Sequence, residues 1–203
     1  MTDVDVVAVI DDDAAVRDSL AWLLKSAGWE VKLYSSAEEY LDSGEIGCSG
    51  CLILDVRMPG MSGLKLHQQL TADDVRVPVI LLTGHADVPM AVKALKSGVF
   101  DFLEKPFDDH ILLSRVQQAL DHNKEVQHSQ DMHQGAEQRL VLLTPREREV
   151  LGLICSGYSN KMMASELGIS CRTIEIHRGR VMDKMQVDSL SSLVRMGVLT
   201  GLY

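Results

Sequence analysis

The chain has no run of about 18 apolar residues, so no segment reads as a membrane span. Its start, Met1-Thr2-Asp3-Val4-Asp5, lacks the basic opening of a secretory signal, and a cytoplasmic protein is expected. Cysteine is scarce, at four residues, and Cys48-Ser49-Gly50-Cys51 has no second CxxC or nearby His pair to complete a zinc site. Cys51 opens an apolar run, where a free thiol behaves as a small hydrophobe. Basic residues are outnumbered overall, but unevenly. Residues 1–120 carry ten Lys and Arg against nineteen Asp and Glu, and residues 121–138 carry one against four; residues 139–203 reverse the balance, with nine against six. A basic tail behind an acidic body points to nucleic acid on one side only.

One stretch organises what is there. Cys51-Leu52-Ile53-Leu54 is a short apolar run ending in Asp55, followed by a loop with Pro59, Gly60 and Gly63 and then an amphipathic helix. That is the pattern of a buried strand delivering a carboxylate to its C-terminal tip, where chemistry sits in open parallel α/β sheets. Alone, Asp55 reads equally well as a residue capping a turn. The neighbouring segments decide. Residues 6–10 form a β-branched run that ends in Asp11-Asp12-Asp13, with Asp13 as N-cap of a helix whose apolar face is Val16, Leu20, Leu23 and Leu24. A strand at 30–34 precedes a short helix opened by the capping box of Ser36 and Glu39. A helix at 63–70 leads to a strand at 77–82 ending in Thr83-Gly84-His85, then a helix at 88–97 and a strand at 100–103 ending in Glu104-Lys105-Pro106-Phe107. A last helix begins near Asp108, with Ile111, Leu112, Val116 and Leu120 at helical spacing. Five βα units predict a flavodoxin-like parallel sheet of five strands in the order 2-1-3-4-5, with its cleft between strands one and three.

That topology brings Asp11, Asp12, Asp55, Thr83 and Lys105 to one edge. Clustered carboxylates repel one another unless a cation is present, and hard oxygen ligands with open positions suit Mg²⁺. With Mg²⁺ on Asp12 and Asp55, an incoming phosphoryl group is stabilised; Lys105 adds a positive charge and Thr83 a donor. Asp55 is then the nucleophile and forms an aspartyl phosphate. The alternative is a set of unrelated polar residues at strand ends.

Residues 4–120 resemble the receiver domain of two-component response regulators. The motifs that carry the resemblance are Ile10-Asp11-Asp12-Asp13, Leu54 to Gly63, Leu82-Thr83-Gly84-His85 and Phe102-Leu103-Glu104-Lys105-Pro106-Phe107. The resemblance implies Asp55 as phosphoacceptor, supplied by a sensor histidine kinase. It implies Mg²⁺ held by Asp11, Asp12, Asp55 and the Arg57 carbonyl, Thr83 and Phe102 as switch pair, and a cis Lys105–Pro106 peptide. Many receivers have Tyr where this chain has Phe102, so a rotating ring is kept and a hydroxyl contact is lost.

Residues 121–138 are poor in apolar side chains and read as a linker, helical to about Met132, with Gly135 as a breaker. Thr144-Pro145-Arg146-Glu147 then starts a helix strongly, with an N-cap, Pro at N1 and Glu at N3. A short helix at 160–167, the turn Gly168-Ile169-Ser170, a longer helix at 171–185 and a fourth near 189–197 make an all-α four-helix domain with a helix-turn-helix. The longer helix sets an apolar stripe of Ile174, Val181 and Met185 against polar and basic groups. An ordinary solvated face would look similar; the basic balance favours DNA.

Leu143 to Leu151, Gly157 to Lys161, Leu167 to Ser170 and Thr173 to Arg178 resemble the LuxR-type DNA-binding domain. The whole chain is similar to response regulators of the FixJ/NarL type, most closely the FixJ–StyR branch. The implied domains are 1–120 receiver, 121–138 linker and 139–203 DNA-binding. The implied recognition helix is 171–185, with Glu175, Ile176 and Gly179 facing bases and Asn160, Lys161, Arg172, Thr173, Arg178 and Lys184 holding phosphates. A mid-helix glycine costs roughly 1 kcal/mol against alanine, so Gly179 either allows close approach to DNA or removes a base contact.

The expected protein is not an enzyme, although its receiver would assist its own Mg²⁺-dependent phosphotransfer and dephosphorylation. It is a transcription activator switched at Asp55, dimerising through Val92, Lys96, Val99, Asp101 and Arg115. Its partners would be the kinase, promoter DNA, a second copy and RNA polymerase. Two rivals stand beside it. A haloacid-dehalogenase-type phosphatase would use an Asp-x-Asp pair, which Asp11-Asp12-Asp13 superficially supplies. A phosphate-independent regulator would use the first domain only to dimerise.

Overall fold

In a computed structural model, the structure describes residues 5–84 and 97–201. The expected helix at 88–97 and the candidate surface residues Val92 and Lys96 lie outside them. The five expected strands all form: β1 (Val6–Ile10), β2 (Glu30–Tyr34), β3 (Cys51–Asp55), β4 (Val79–Thr83) and β5 (Asp101–Glu104). They pair in parallel in the order β2-β1-β3-β4-β5. Strand order reverses at β1 and β3, whose residues Val7 and Cys51 stand opposite each other. Crevices for ligands open outside the carboxyl ends at that kind of junction.

Period-two alternation sorts each strand onto two faces. Ala8, Ile10, Leu52, Leu54 and Leu81 pack on one side with Leu66 and Leu70 of α3 (Gly63–Ala72) and Tyr40 of α2 (Ala37–Asp42). Val7, Val9, Ile53, Ile80 and Leu82 pack on the other with Leu20 and Leu24 of α1 (Ala14–Ser26) and with Leu112 and Val116 of α4 (Asp109–Val141). The inner strands β1, β3 and β4 are covered on both faces, which is why they read as unbroken apolar runs, while the edge strands β2 and β5 are partly exposed and carry charged residues. Each fully buried Leu or Ile contributes about 1.5–3 kcal/mol. The caps foreseen at Asp13 and Ser36 form, onto Ala15 N and Glu39 N.

Two sequence expectations need correction here. Of the four residues expected at helical spacing, Leu112, Val116 and Leu120 are buried, but Ile111 is half exposed, and Ala119 completes the buried face in its place. Gly135 does not break the helix, since α4 runs unbroken to Val141. The packing explains this: Ala136 is fully buried and Leu140 packs beside it, which outweighs about 1 kcal/mol of glycine propensity.

The chain divides into two compact units, residues 1–126 and 127–203, and the division falls within α4. The second unit contains α5 (Pro145–Cys155), α6 (Asn160–Leu167), α7 (Cys171–Met185) and α8 (Leu190–Leu199). Val150, Leu151, Met163, Ile174, Val181, Met185 and Leu193 make its core. Thr144 and Glu147 close the full capping box at α5, and Ser159 and Ser170 cap α6 and α7. Gly168, at φ 66°, takes the left-handed conformation that lets α6 stop and α7 start within three residues.

Candidate phosphoacceptor site and DNA interface

Parallel pairing places the strand tips side by side. Asp55 stands opposite Leu82 and Thr83 opposite Glu104, while Asp11 follows directly on β1. Lys105 reaches across this edge. Its Nζ lies 2.6 Å from Asp11 Oδ2 and 2.7 Å from Asp55 Oδ1. Asp55 Oδ2 accepts from the Arg57 N–H at 2.7 Å, and Asp11 Oδ1 from the Asp13 N–H at 2.9 Å. Asp11, Asp55 and Thr83 are buried, whereas Asp12 stands exposed at the rim. The five residues that topology was expected to gather therefore lie on one edge. Phe102 is partly buried against the α3-side core, and the Lys105–Pro106 peptide is cis.

Electrostatics at this edge are opposed. Burial pushes the Asp55 carboxyl above its ordinary range, outweighing the Lys105 ammonium and the Arg57 N–H that pull it down. Burial also pulls Lys105 down, but the two carboxylates more than offset it and hold the ammonium above its usual value. Three carboxyl groups, those of Asp11, Asp12 and Asp55, thus share an edge at which the Lys105 ammonium pairs with only two, an excess of acidic groups. Among the described residues, no three His, Cys, Asp or Glu side chains are gathered closely enough to form a ready metal cage. Magnesium does not require one: it takes one or two carboxylates and keeps several waters. The hard donor set and the excess of acidic groups both fit that ion.

Three supporting contacts were not foreseen. Arg17 Nη1 donates to the Asp11 carbonyl at 2.6 Å, so α1 steadies the end of β1. Glu38 Oε1 accepts from the Met61 N–H at 2.9 Å and so braces the loop after Asp55 from α2. The N-terminus of α3 sits almost on that strand: a Cβ on Gly63 would lie 2.2 Å from the Asp55 carbonyl oxygen. Only the last left a trace in sequence, as a glycine at the start of a helix.

In the second unit, α7 presents Arg172, Glu175, Ile176 and Gly179 to the exterior, and Lys161 is exposed on α6. Arg178 donates to the Asn160 carboxamide oxygen, tying α7 to the first turn of α6, and Thr173 Oγ1 lies 2.8 Å from Ser170 Oγ at the cap.

Lys184 is a correction. It was expected on a phosphate, but its Nζ lies 2.7 Å from Glu147 Oε2 and 3.1 Å from the Leu142 carbonyl. Glu147 is only 2 % exposed, and the Lys184 ammonium holds its carboxyl down at about 2. The pair fastens α7 to α5, so the half-buried lysine is engaged within its own domain. Val99 is a second correction. Placed on a dimer surface, it is buried in the α3-side core, because it lies just before β5 where the chain enters the sheet. Asp101 and Arg115 from the same set are exposed enough to meet a partner, and they pair with each other at 2.9 Å.

Fold and sites together define a signal-receiver domain followed by a helix-turn-helix domain. Residues 7–117 match the family model of the response regulator receiver domain, and residues 141–197 that of bacterial regulatory proteins, luxR family. The chain belongs to the two-component response regulators with a LuxR-type DNA-binding domain, and it is a transcriptional regulator. It is 48% identical over 195 residues to the transcriptional regulatory protein FixJ of Azorhizobium caulinodans, covering 96% of this chain and 92% of that one. Among solved structures it is similar to the response regulator StyR, at 43% identity and TM-score 0.83 over 95% of this chain and 97% of that one. Full-length FixJ from B. japonicum aligns at 45% identity and TM-score 0.60, over 98% of both chains. The resemblance to the FixJ/NarL type and its FixJ–StyR branch is borne out.

Proposed function

We propose that this regulator is switched by phosphorylation of Asp55 from a sensor histidine kinase, and that the phosphorylated form dimerises on promoter DNA and activates transcription with RNA polymerase. The observation that carries the reading is the Lys105 ammonium held between Asp11 and Asp55.

The buried Asp55 carboxylate attacks phosphorus, the bond to the donor imidazole nitrogen breaks, and the imidazole takes up a proton. Lys105 is placed to exchange one carboxylate contact for a phosphoryl oxygen, and the buried Thr83 hydroxyl donates to another. Asp11, Asp12, Asp55 and the Arg57 carbonyl would hold Mg²⁺, which when bound offsets charge on the phosphoryl oxygens. Thr83 moves toward the phosphoryl group and the Phe102 ring turns into the space it leaves. The rearranged surface pairs two copies, with Asp101 and Arg115 exchanging their internal ion pair for one across the dimer. Asn160, Lys161, Arg172, Thr173 and Arg178 hold phosphates while Glu175, Ile176 and Gly179 face bases. The domain limits proposed are 1–120, 121–138 and 139–203.

One feature weighs against the Asp-x-Asp phosphatase: Asp13, the second carboxylate of that pair, caps α1 and accepts from the Ala15 N–H at 2.8 Å. Intact mass after incubation with Mg²⁺ and acetyl phosphate tests the proposal. One added phosphoryl group is expected, absent from Asp55→Asn. No adduct and no phosphate release would leave a phosphate-independent regulator, while fast release without an adduct would restore the hydrolase.

A further inference from the structure

Among the described residues, nothing requires residue 179 to be glycine. It lies in the middle of α7, it is absent from the glycines with positive φ, and a Cβ built on it would meet nothing within 4 Å. Gly63 and Gly168 are different cases, the first forced by close backbone approach and the second by its left-handed φ. Gly179 therefore weakens its helix with no return in packing or turn geometry.

Its surroundings indicate where the return comes from. Glu175 and Ile176 stand four and three positions earlier, on the same face, and all three residues are exposed. Ile176 is 50% exposed, whereas Ile174, Val181 and Met185 of the same helix are fully buried. Mid-helix N–H groups are engaged within the helix, so bare backbone at 179 offers no donor to a phosphate. What remains is shape: a notch with an apolar wall. On base edges in the major groove the apolar feature is the thymine 5-methyl group.

We propose that Gly179 is a specificity-determining residue whose missing side chain leaves a notch, walled by Ile176, that receives a thymine 5-methyl group. This rests on reading α7 as the recognition helix and goes beyond it by naming the base edge.

The test uses the full-length protein treated with acetyl phosphate, and a duplex selected by the wild type from a randomised double-stranded pool. Each thymine of that duplex is replaced in turn by deoxyuridine, which removes only the methyl. At one position per half-site, the wild type should bind about fourfold more weakly. Gly179→Ala should raise the melting temperature of the helical domain by about 4–8 °C. It should also bind the selected duplex at least about tenfold more weakly and no longer distinguish thymine from deoxyuridine there. Gly152→Ala controls for helix propensity, since Gly152 also lies mid-helix with nothing within 4 Å of its missing Cβ. That variant should melt higher and bind as the wild type does. Unchanged binding by Gly179→Ala overturns the proposal, and so does a wild type indifferent to every deoxyuridine. A pool that yields no enriched sequence instead removes the recognition-helix reading on which the notch depends.

Discussion

Asp55 and Glu147 are both nearly buried carboxylates facing a lysine, yet they are displaced in opposite directions. At Asp55 burial prevails and the carboxyl rises; at Glu147 the Lys184 hydrogen bond prevails and it falls to about 2. Replacing Lys105 with Met should therefore push Asp55 higher still, which a side-chain carboxyl NMR titration reads directly. For Glu147 the depressed value sets the sign of a pH dependence. Its contribution to stability is fully present above the ordinary value of 4.5 and is lost as pH falls toward about 2. Unfolding of the helical domain followed by circular dichroism should weaken across that window, and Glu147→Gln should flatten the slope. The pair is also unequal under mutation. Lys184→Met leaves a buried carboxylate with the Thr144 N–H as its remaining donor and no counter-charge, and should cost about 3 kcal/mol, whereas Glu147→Gln leaves a lysine that reaches water and should cost about 1.5 kcal/mol. Denaturant titration of both variants checks the order.

At the scale of elements, Gly63 and Gly135 mark two opposite uses of glycine. Gly63 lets α3 rest against the end of β3. Gly63→Ala would set a methyl 2.9 Å from Leu54 Cγ and closer still to the Asp55 carbonyl. It should cost about 1–3 kcal/mol and slow labelling of Asp55, checked by melting and by intact mass over time. A Cβ on Gly135 would meet nothing within 4 Å, so Gly135→Ala should stabilise the chain by about 1 kcal/mol. The elements themselves were legible in sequence wherever one physical signal acted alone. Apolar runs gave the inner strands, because both of their faces are covered, and Asp13, Ser36, Thr144 and Ser170 gave helix starts, because capping is local. Gly135 misled because propensity is a local quantity while Ala136 and Leu140 answer to a distant core. Lys184 misled for the same reason: nothing near it in the chain marks Glu147 as its partner. Val99 was misplaced because a lone apolar residue before a strand carries no period.

At the scale of the molecule, charge is divided between an acidic first unit and a basic segment, residues 139–203, within the second. Binding to DNA by the exposed cations of α6 and α7 should weaken linearly in log–log plots against salt. Lys161→Ala should shallow that slope by about one if it neutralises a single phosphate, with little change in sequence preference. Salt titrations of the variant and the wild type on one duplex make the comparison.

The site itself is a long-range construction. Lys105 meets a carboxylate 94 residues earlier and another 50 residues earlier. On the ribosome, a chain that has emerged as far as Asp55 carries the carboxylate without the ammonium that completes its setting. Synthesis must advance past β5, and the sheet must close in register, before both are present together. On the proposed function, the receiver thus carries its own check on maturity: a nascent or misfolded copy would be deaf to the signal and would draw no phosphate from copies able to use it.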